Sequence, residues 1–140
     1  MARRVFVDAG PIVALLDRRD THHQWAKSEI AKLHDPLLTC EAVLSEAFFL
    51  LARVRGGTAT LVALLRDNLV SVPADFSYYE HSAEILRSLE HYRTVPMSLA
   101  DACLVRMSEI HRDSFVFTTD RDFLTYRRNR RQPIPLISPF

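Results

Sequence analysis

The sequence is poor in cysteine and glycine, and it contains no long apolar run. It has 140 residues, of which 2 are Cys and 3 are Gly. Cys40 and Cys103 are too few for the disulfide framework of a small secreted protein, and no C-x-x-C pair indicates a zinc site. No stretch of about 18 apolar residues is present, so we expect no membrane-spanning segment. The N-terminal segment 1–4 contains two arginines, but the apolar run that follows it ends before Asp8 and is too short for a signal peptide. We therefore expect a cytoplasmic protein.

The chain also lacks an excess of charge of one sign. It carries 18 Lys and Arg against 17 Asp and Glu, a formal net charge of +1. Nucleic-acid-binding domains are often strongly basic, so this balance alone does not indicate such a ligand. With 48% hydrophobic and 25% charged residues, the composition is typical of a globular protein. At this length we expect residues 1–140 to form a single domain.

Short apolar runs alternate with longer helical patterns along the chain. We predict strands at 5–7, 37–39, 69–72, 115–118 and 135–137, with helices between them. Alternating strands and helices indicate a parallel sheet with helices on both faces, an α/β fold. In such open sheets, ligands bind beyond the carboxyl ends of the strands, where the strand order reverses. We therefore look for chemistry at that edge.

Two acids follow predicted strands directly. Asp8 comes directly after the first strand and Asp120 lies at the carboxyl end of the fourth, so both reach the same edge of a parallel sheet. Either one alone fits a structural role, because Asp often starts a turn or caps a helix. Asp122 lies two residues after Asp120 and is either a second ligand or a first-turn acid of the next helix.

Two further acids lie on predicted helices. Glu46 is surrounded by apolar residues on nearly every face of its helix, so we expect it to be buried, where a carboxylate is costly unless paired or bound to a metal. The alternatives are partial exposure or an ion pair with Arg53 or Arg106. Asp101 follows Ser98 by three residues, a capping-box spacing that could by itself explain this acid.

Together the acids indicate a cation site. Asp8, Glu46, Asp101 and Asp120 lie far apart in the chain, yet each falls where it can reach one sheet edge. Clustered carboxylates raise one another's pKa values and need cations to remain ionised. Oxygen ligands without His or Cys favour Mg²⁺ or Mn²⁺. This chemistry is typical of metal-assisted phosphodiester hydrolysis.

The order of these motifs resembles the PIN domain family. The resemblance is carried by residues 5–8 (VFVD), 44–46 (LSE), 99–102 (LADA) and 117–123 (FTTDRDF), and the opening 7–17 is similar to small stand-alone PIN proteins. Many of these are VapC-type toxins. The resemblance implies a PIN-like three-layer αβα sandwich with a central parallel sheet of four to five strands.

The resemblance also implies a site and an activity. Asp8, Glu46, Asp101 and Asp120 would be catalytic and bind Mg²⁺ or Mn²⁺, with Asp122 as an auxiliary metal-binding acid. The activity would be that of a divalent-metal-dependent endoribonuclease leaving 5′-phosphate and 3′-hydroxyl ends. Its partners would be an RNA substrate, a cognate antitoxin protein and a second copy of the chain in a homodimer.

Three functions remain open at this point. The first is the toxin ribonuclease of a type II toxin–antitoxin pair. The second is a housekeeping RNA-processing nuclease, or a Mg²⁺ phosphohydrolase of another α/β family. The third is a non-catalytic PIN-like binding module.

The densest cluster of basic residues precedes the last predicted strand. Sixteen of the 18 basic residues are Arg, whose planar guanidinium group can bind two phosphate oxygens. The densest cluster, 126–131 (YRRNRR), follows Arg121 and either contacts an RNA backbone or forms a solvated helix end. The net charge is thus a cancellation between clustered acids and arginines that we expect to be free for phosphate.

Overall fold

The computed structural model describes residues 3–140. Met1 and Ala2 of the basic N-terminal segment lie outside the described residues. Within residues 3–140 the α-helices are α1 (Ala9–Leu16), α2 (His23–Ala31), α3 (Glu41–Leu51), α4 (Gly57–Arg66), α5 (Tyr78–His91) and α6 (Leu99–Ile110). The strands are β1 (Arg4–Val7), β2 (Leu37–Leu38), β3 (Val70–Ser71), β4 (Ser114–Phe117), β5 (Arg127–Arg128), β6 (Gln132–Pro133) and β7 (Leu136–Ile137).

The central sheet has five parallel strands in the order β3-β2-β1-β4-β7. Its longest pairing joins β1 to β4, with Val5 opposite Phe115 and Val7 opposite Phe117. Helices flank this sheet, which confirms the predicted α/β fold with a central parallel sheet. The strands at both edges are shorter than predicted, at two residues each.

The strand order reverses between β1 and β4. The chain moves outward from β1 through β2 to β3, returns to place β4 on the other side of β1, and continues to β7. Right-handed crossovers place the helices of these two halves on opposite faces of the sheet. The crevice at the carboxyl ends of β1 and β4 is therefore the expected ligand position of the fold.

The core lies around the two central strands and α6. Phe6, Phe117 and Leu104 are fully buried, because strands covered by helices on both faces need apolar side chains in both directions. Helix α6 is buried along most of its length and begins with a capping box formed by Ser98 and Asp101. A helix that precedes a parallel strand runs antiparallel to it, so this first turn lies at the carboxyl edge of the sheet.

Residues 127–133 form an antiparallel hairpin, β5–β6, in place of the helix end considered for this segment. Its turn contains Asn129 and Arg130, both with positive φ values, of 51° and 62°. Two consecutive positive φ values are typical of a type I′ hairpin turn.

No helix within residues 3–140 is both long and apolar enough to cross a lipid bilayer.

Candidate active site

Three acids from three elements meet at the carboxyl edge of the sheet. Asp8 follows β1, Asp101 lies in the first turn of α6, and Asp120 follows β4. Each offers a carboxylate oxygen, and these oxygens all lie within 4.8 Å of one another. Asp8 and Asp101 are both only 7% exposed. The structure thus brings together three of the acids that the sequence indicated.

Thr118 connects the two acids at the strand ends. Its hydroxyl donates a 2.8 Å hydrogen bond to Oδ2 of Asp8 and accepts a 2.9 Å bond from the backbone N–H of Asp120. Oδ1 of Asp8 accepts a 2.8 Å bond from the N–H of Ala9, the first residue of α1. Because Thr118 is fully buried, this arrangement fixes the position of the Asp8 carboxylate.

The position of Asp101 is fixed by a helix cap and a buried tyrosine. The backbone N–H of Asp101 donates to the Ser98 hydroxyl at 3.0 Å, and Oδ2 of Asp101 accepts from the Ser98 N–H at 3.4 Å. The same oxygen accepts a 3.0 Å bond from the hydroxyl of Tyr126. The capping role and the placement of Asp101 in the acidic cluster therefore coexist.

Two carboxylate oxygens in the cluster have no protein donor. Within residues 3–140, both donors to Asp101 bind Oδ2, and the donor to Asp120, the N–H of Asp122, binds Oδ1. Oδ1 of Asp101 and Oδ2 of Asp120 are thus left without a hydrogen bond from this part of the chain. An oxygen held in place but without a donor is suited to accept a cation.

Burial and mutual repulsion make ionisation of these acids costly. Burial has the largest effect on the pKa of Asp8 and raises it. The hydrogen bond from Thr118 lowers this pKa and the negative charge of Asp101 raises it further, so that it reaches about 7. Burial also raises the pKa of Asp101, although the hydrogen bond from Tyr126 opposes this. A positive charge placed among the acids would reverse these shifts.

The acids line a cleft of about 310 Å³ together with Gly10 and Thr119, which we call the acidic cleft. A Cβ atom on Gly10 would overlap the hydroxyl oxygen of Thr119. Glycine is needed here because the first turn of α1 approaches Thr119 closely. The hydroxyl at this wall of the cleft therefore comes from the end of β4.

Glu46 lines the same cleft, but the prediction that it is buried is wrong. Glu46 is exposed, as are Ser45, Phe49 and Leu50 on the same helix. Helix α3 is therefore not buried all round, and it presents a partly apolar surface. Glu46 is outside the group of oxygens within 4.8 Å, but its negative charge contributes to raising the pKa of Asp8. It forms no ion pair within residues 3–140, and Arg106 pairs with Glu109.

Asp122 lies beside the cleft in the 3₁₀ turn Arg121–Leu124. Its backbone N–H donates to Oδ1 of Asp120 at 2.9 Å. Its side chain is not among those lining the cleft. Asp122 therefore helps to hold Asp120, whereas a role as a direct metal ligand stays a prediction.

The arginine-rich segment 126–131 is largely occupied by contacts within the protein. Tyr126 is fully buried and Arg128 is 6% exposed. The expectation that Arg128 is free to meet phosphate is therefore wrong, and Tyr126 does not support the RNA-contact alternative for this segment. Arg128 donates to the hydroxyl of Ser114 at 3.1 Å. Arg127 donates to the carbonyl oxygens of Leu124 and Tyr126. The role of Tyr126 at the site was missed because neighbouring arginines made the segment look solvated.

The donor set fits a hard divalent cation. All three clustered side chains offer carboxylate oxygens, two of these oxygens have no protein donor, and no His or Cys of residues 3–140 joins the cluster. Mg²⁺ and Mn²⁺ prefer such oxygen ligands, whereas structural zinc favours sulfur and nitrogen. Asp8, Asp101 and Asp120 are therefore the residues that would hold the ion.

Comparison with known proteins identifies the fold. The PIN domain family model matches residues 5–129. No curated protein matches the sequence. Among solved structures, the chain is similar to Mycobacterium tuberculosis VapC20, described as a Sarcin-Ricin loop cleaving toxin. The TM-score is 0.73 and the sequence identity 22%, over 84% of this chain and 91% of that one. The family model covers most of the chain and the solved fold agrees with it, so the protein belongs to the PIN domain family.

Proposed function

We propose that this protein is a divalent-metal-dependent endoribonuclease that acts as the toxin of a type II toxin–antitoxin pair. The observation that carries the proposal is the set of three carboxylates within 4.8 Å at the point where the strand order reverses. Such a cluster is unstable as a purely structural feature, because burial and repulsion raise the pKa of Asp8 and no basic side chain of residues 3–140 pairs with these acids. Cation binding explains its presence.

The residues of the site have distinct roles in this proposal. Asp8, Asp101 and Asp120 hold Mg²⁺ or Mn²⁺, and exposed Glu46 completes the acidic rim from α3. Asp122 acts as the auxiliary acid, holding Asp120 through its backbone. When bound, the cation activates water and neutralises charge at a scissile phosphate. Thr118 keeps the Asp8 carboxylate oriented through the hydrogen bond that its hydroxyl donates.

The substrate class follows from the chemistry of the site and from the family. The acidic cleft is open, polar and lined by acids, so a phosphodiester can approach only when a cation is present. VapC20 is described as a toxin that cleaves the sarcin–ricin loop, which supports RNA as the substrate here. The choice of the RNA that this chain cleaves depends on its own surface and not on that of VapC20.

The same resemblance supports a cytoplasmic antitoxin partner and a homodimer. On helix α5, Tyr79 is 87% exposed and Leu86 is 47% exposed. These residues are seven positions apart and share one helix face. An exposed apolar face of this kind is suited to contact with another protein chain. Light scattering of the purified protein distinguishes a dimer from a monomer.

The test is RNA cleavage by purified protein in EDTA, Mg²⁺ and Mn²⁺. Asp8→Asn should abolish metal-dependent cleavage and also growth inhibition on expression. Asp67→Asn is the matched control, because Asp67 is an exposed acid at the end of α4. Cleaved RNA should carry 5′-phosphate ends, and co-expression of a small protein encoded beside this one should restore growth.

Three results would contradict parts of the proposal. Cleavage by Asp8→Asn at the wild-type rate rules out the acidic cluster as the active site. Metal-dependent cleavage without growth inhibition favours a housekeeping RNA-processing nuclease. Absence of both cleavage and Mn²⁺ binding in calorimetry favours a non-catalytic binding module.

A further inference from the structure

A second cleft, lined by four arginines, lies next to the acidic one. Its volume is about 640 Å³. Arg18 and Arg19 lie in the loop after α1, and Arg53 and Arg55 lie in the loop after α3. We call this feature the arginine cleft.

The four guanidinium groups of the arginine cleft are free of partners within residues 3–140. All four residues are exposed. None of their side chains takes part in an ion pair or a hydrogen bond with this part of the chain. The one acid of the described residues that lines the cleft is Asp17, which accepts a hydrogen bond from the backbone N–H of Arg19. Four such charges around one depression create a local positive potential that attracts anions.

The arginine cleft is continuous with the acidic cleft. Leu50 lines both of them. Glu46 and Leu50 are four residues apart on α3, so they lie on one side of the helix. Arg53 follows two residues after the end of α3 and lines the arginine cleft together with Leu50. An RNA strand that leaves the acidic cleft over Leu50 would reach the arginines within a few nucleotides.

Another arginine-lined depression of the protein is less suited to bind a polyanion. It measures about 260 Å³ and contains Arg87, Arg106, Arg127 and Arg130. Arg106 is paired with Glu109, and Arg127 donates to two backbone carbonyls. Half of its guanidinium groups are thus already engaged, whereas those of the arginine cleft are all available.

We propose that the arginine cleft binds the phosphodiester backbone of the single-stranded RNA segment next to the scissile bond. This inference rests on the proposed ribonuclease function and adds the path of the substrate. Arginine suits this role because its planar guanidinium group donates two parallel hydrogen bonds to phosphate oxygens. Contacts of this kind hold RNA of any sequence, and the acidic cleft then determines where cleavage occurs.

The test measures the salt dependence of RNA binding. A labelled oligouridylate is titrated by fluorescence anisotropy at several salt concentrations in Mg²⁺, with every protein carrying Asp8→Asn so that no cleavage interferes. The test pair is Arg53→Ala with Arg55→Ala. The control pair is Arg87→Ala with Arg130→Ala, which removes the same charge from two exposed arginines of the other depression.

We expect the two pairs to differ in their salt slopes. Each phosphate neutralised on a single strand makes the slope of log K against log salt more negative by about 0.7, so the test pair should make the slope less negative by about 1.4. Arg53→Lys with Arg55→Lys should retain most of the slope, because the charge remains. The control pair should keep the slope of the parent protein, which carries Asp8→Asn alone. Melting temperatures should be unchanged, since none of the replaced side chains at the test positions has a partner within residues 3–140.

Equal slopes in the test pair and the parent protein, or equal losses in the test and control pairs, would overturn the inference. Competition by polyglutamate as strong as that by RNA would also overturn it, because the cleft would then accept any polyanion, including an acidic protein. The proposed function is tested separately: wild-type protein that cleaves no RNA in Mn²⁺ contradicts the nuclease activity. The difference between the two pairs still decides whether the arginine cleft binds RNA.

Discussion

Asp8→Asn should change how the stability of the metal-free protein depends on pH. Asp8 is 7% exposed, and its pKa is raised from 3.8 to about 7, first by burial and further by the charges of Asp101 and Glu46. Between these two pKa values, the Asp8 carboxyl group of the folded, metal-free protein therefore binds a proton that the same group in the unfolded chain has already released. Asparagine has the same shape but no ionisation, so it removes this linkage.

The sign and size of the effect follow from the two pKa values. Between about pH 4 and 7 the folded state binds more protons than the unfolded state, so the free energy of unfolding falls as the pH rises. The contribution of Asp8 is fully present below pH 3.8 and is lost above about pH 7. At about 1.36 kcal/mol per pKa unit, the total is about 4 kcal/mol. About 3 kcal/mol of this falls between pH 5 and pH 8.

Urea unfolding in EDTA at pH 5 and pH 8 measures the effect. We expect the wild-type protein to lose about 3 kcal/mol more between these pH values than Asp8→Asn does. Asp67→Asn, at an exposed position, should keep the wild-type pH dependence. The side-chain amide that replaces the carboxylate can still accept from Ala9 and can donate to the Thr118 hydroxyl, so the local fold should persist. Mn²⁺ at pH 8 should stabilise the wild-type protein and not the variant.

Parallel pH profiles for the wild-type protein and Asp8→Asn would refute the reasoning. That result would mean that Asp8 ionises in the folded protein as easily as in the unfolded chain. Burial would then not make the acidic cluster costly, and the physical argument for a cation at this site would lose its basis. An equal stabilisation of both proteins by Mn²⁺ would place the cation elsewhere.

Four further substitutions test the parts that support the site. Tyr126→Phe removes the hydroxyl that holds Asp101 and should weaken Mn²⁺ binding by about 10- to 100-fold in calorimetry; unchanged affinity would show that the hydrogen bond is incidental. Gly10→Ala should destabilise the protein by about 1–3 kcal/mol in urea unfolding. Thr119→Ala in the same chain should remove most of that cost, and simple additivity would contradict the proposed overlap. Arg128→Ala should lower the melting temperature but leave the salt slope of RNA binding unchanged, because this guanidinium group is buried; a reduced slope would show that it meets RNA after all.

The positions of Asp8, Asp101 and Asp120 could be predicted because local rules determine them. An acid at the end of a parallel strand reaches the carboxyl edge, whatever the rest of the chain does. The Ser98–Asp101 spacing sets the start of α6, and that helix begins at the same edge. These features depend on strand direction and helix capping, which neighbouring residues largely decide.

The surroundings of Glu46 could not be predicted in the same way. Its neighbours are apolar, and that composition indicated burial on every face. In the structure Phe49 is 76% exposed and Leu50 is 44% exposed, because α1, α4 and α6 cover only one side of α3. Hydrophobicity predicts which residues can be buried, but the number of packing partners around a helix is a property of the whole fold.

Tyr126 and Arg128 depend on contacts that are distant in sequence. Tyr126 reaches Asp101 from 25 positions away, and Arg128 reaches Ser114 from 14 positions away. The hairpin that brings them inward turns at Asn129 and Arg130 without the glycine that usually marks such a turn. A run of arginines therefore looked solvent-exposed, although Arg128 and the preceding Tyr126 are buried.

The net charge of +1 conceals two neighbouring fields of opposite sign. In the proposed function, the acids of the acidic cleft repel a phosphodiester until a cation neutralises them, whereas the proposed role of the arginine cleft is to attract it at any metal concentration. If both clefts bind the same strand, a cation at the acids raises the affinity for RNA, and RNA must raise the affinity for the cation by the same factor. Leu50, which lines both clefts, separates the two fields by a short apolar surface. The sum of all charges carries none of this information, because RNA binding responds to the potential along its path over the surface and not to the average over the molecule.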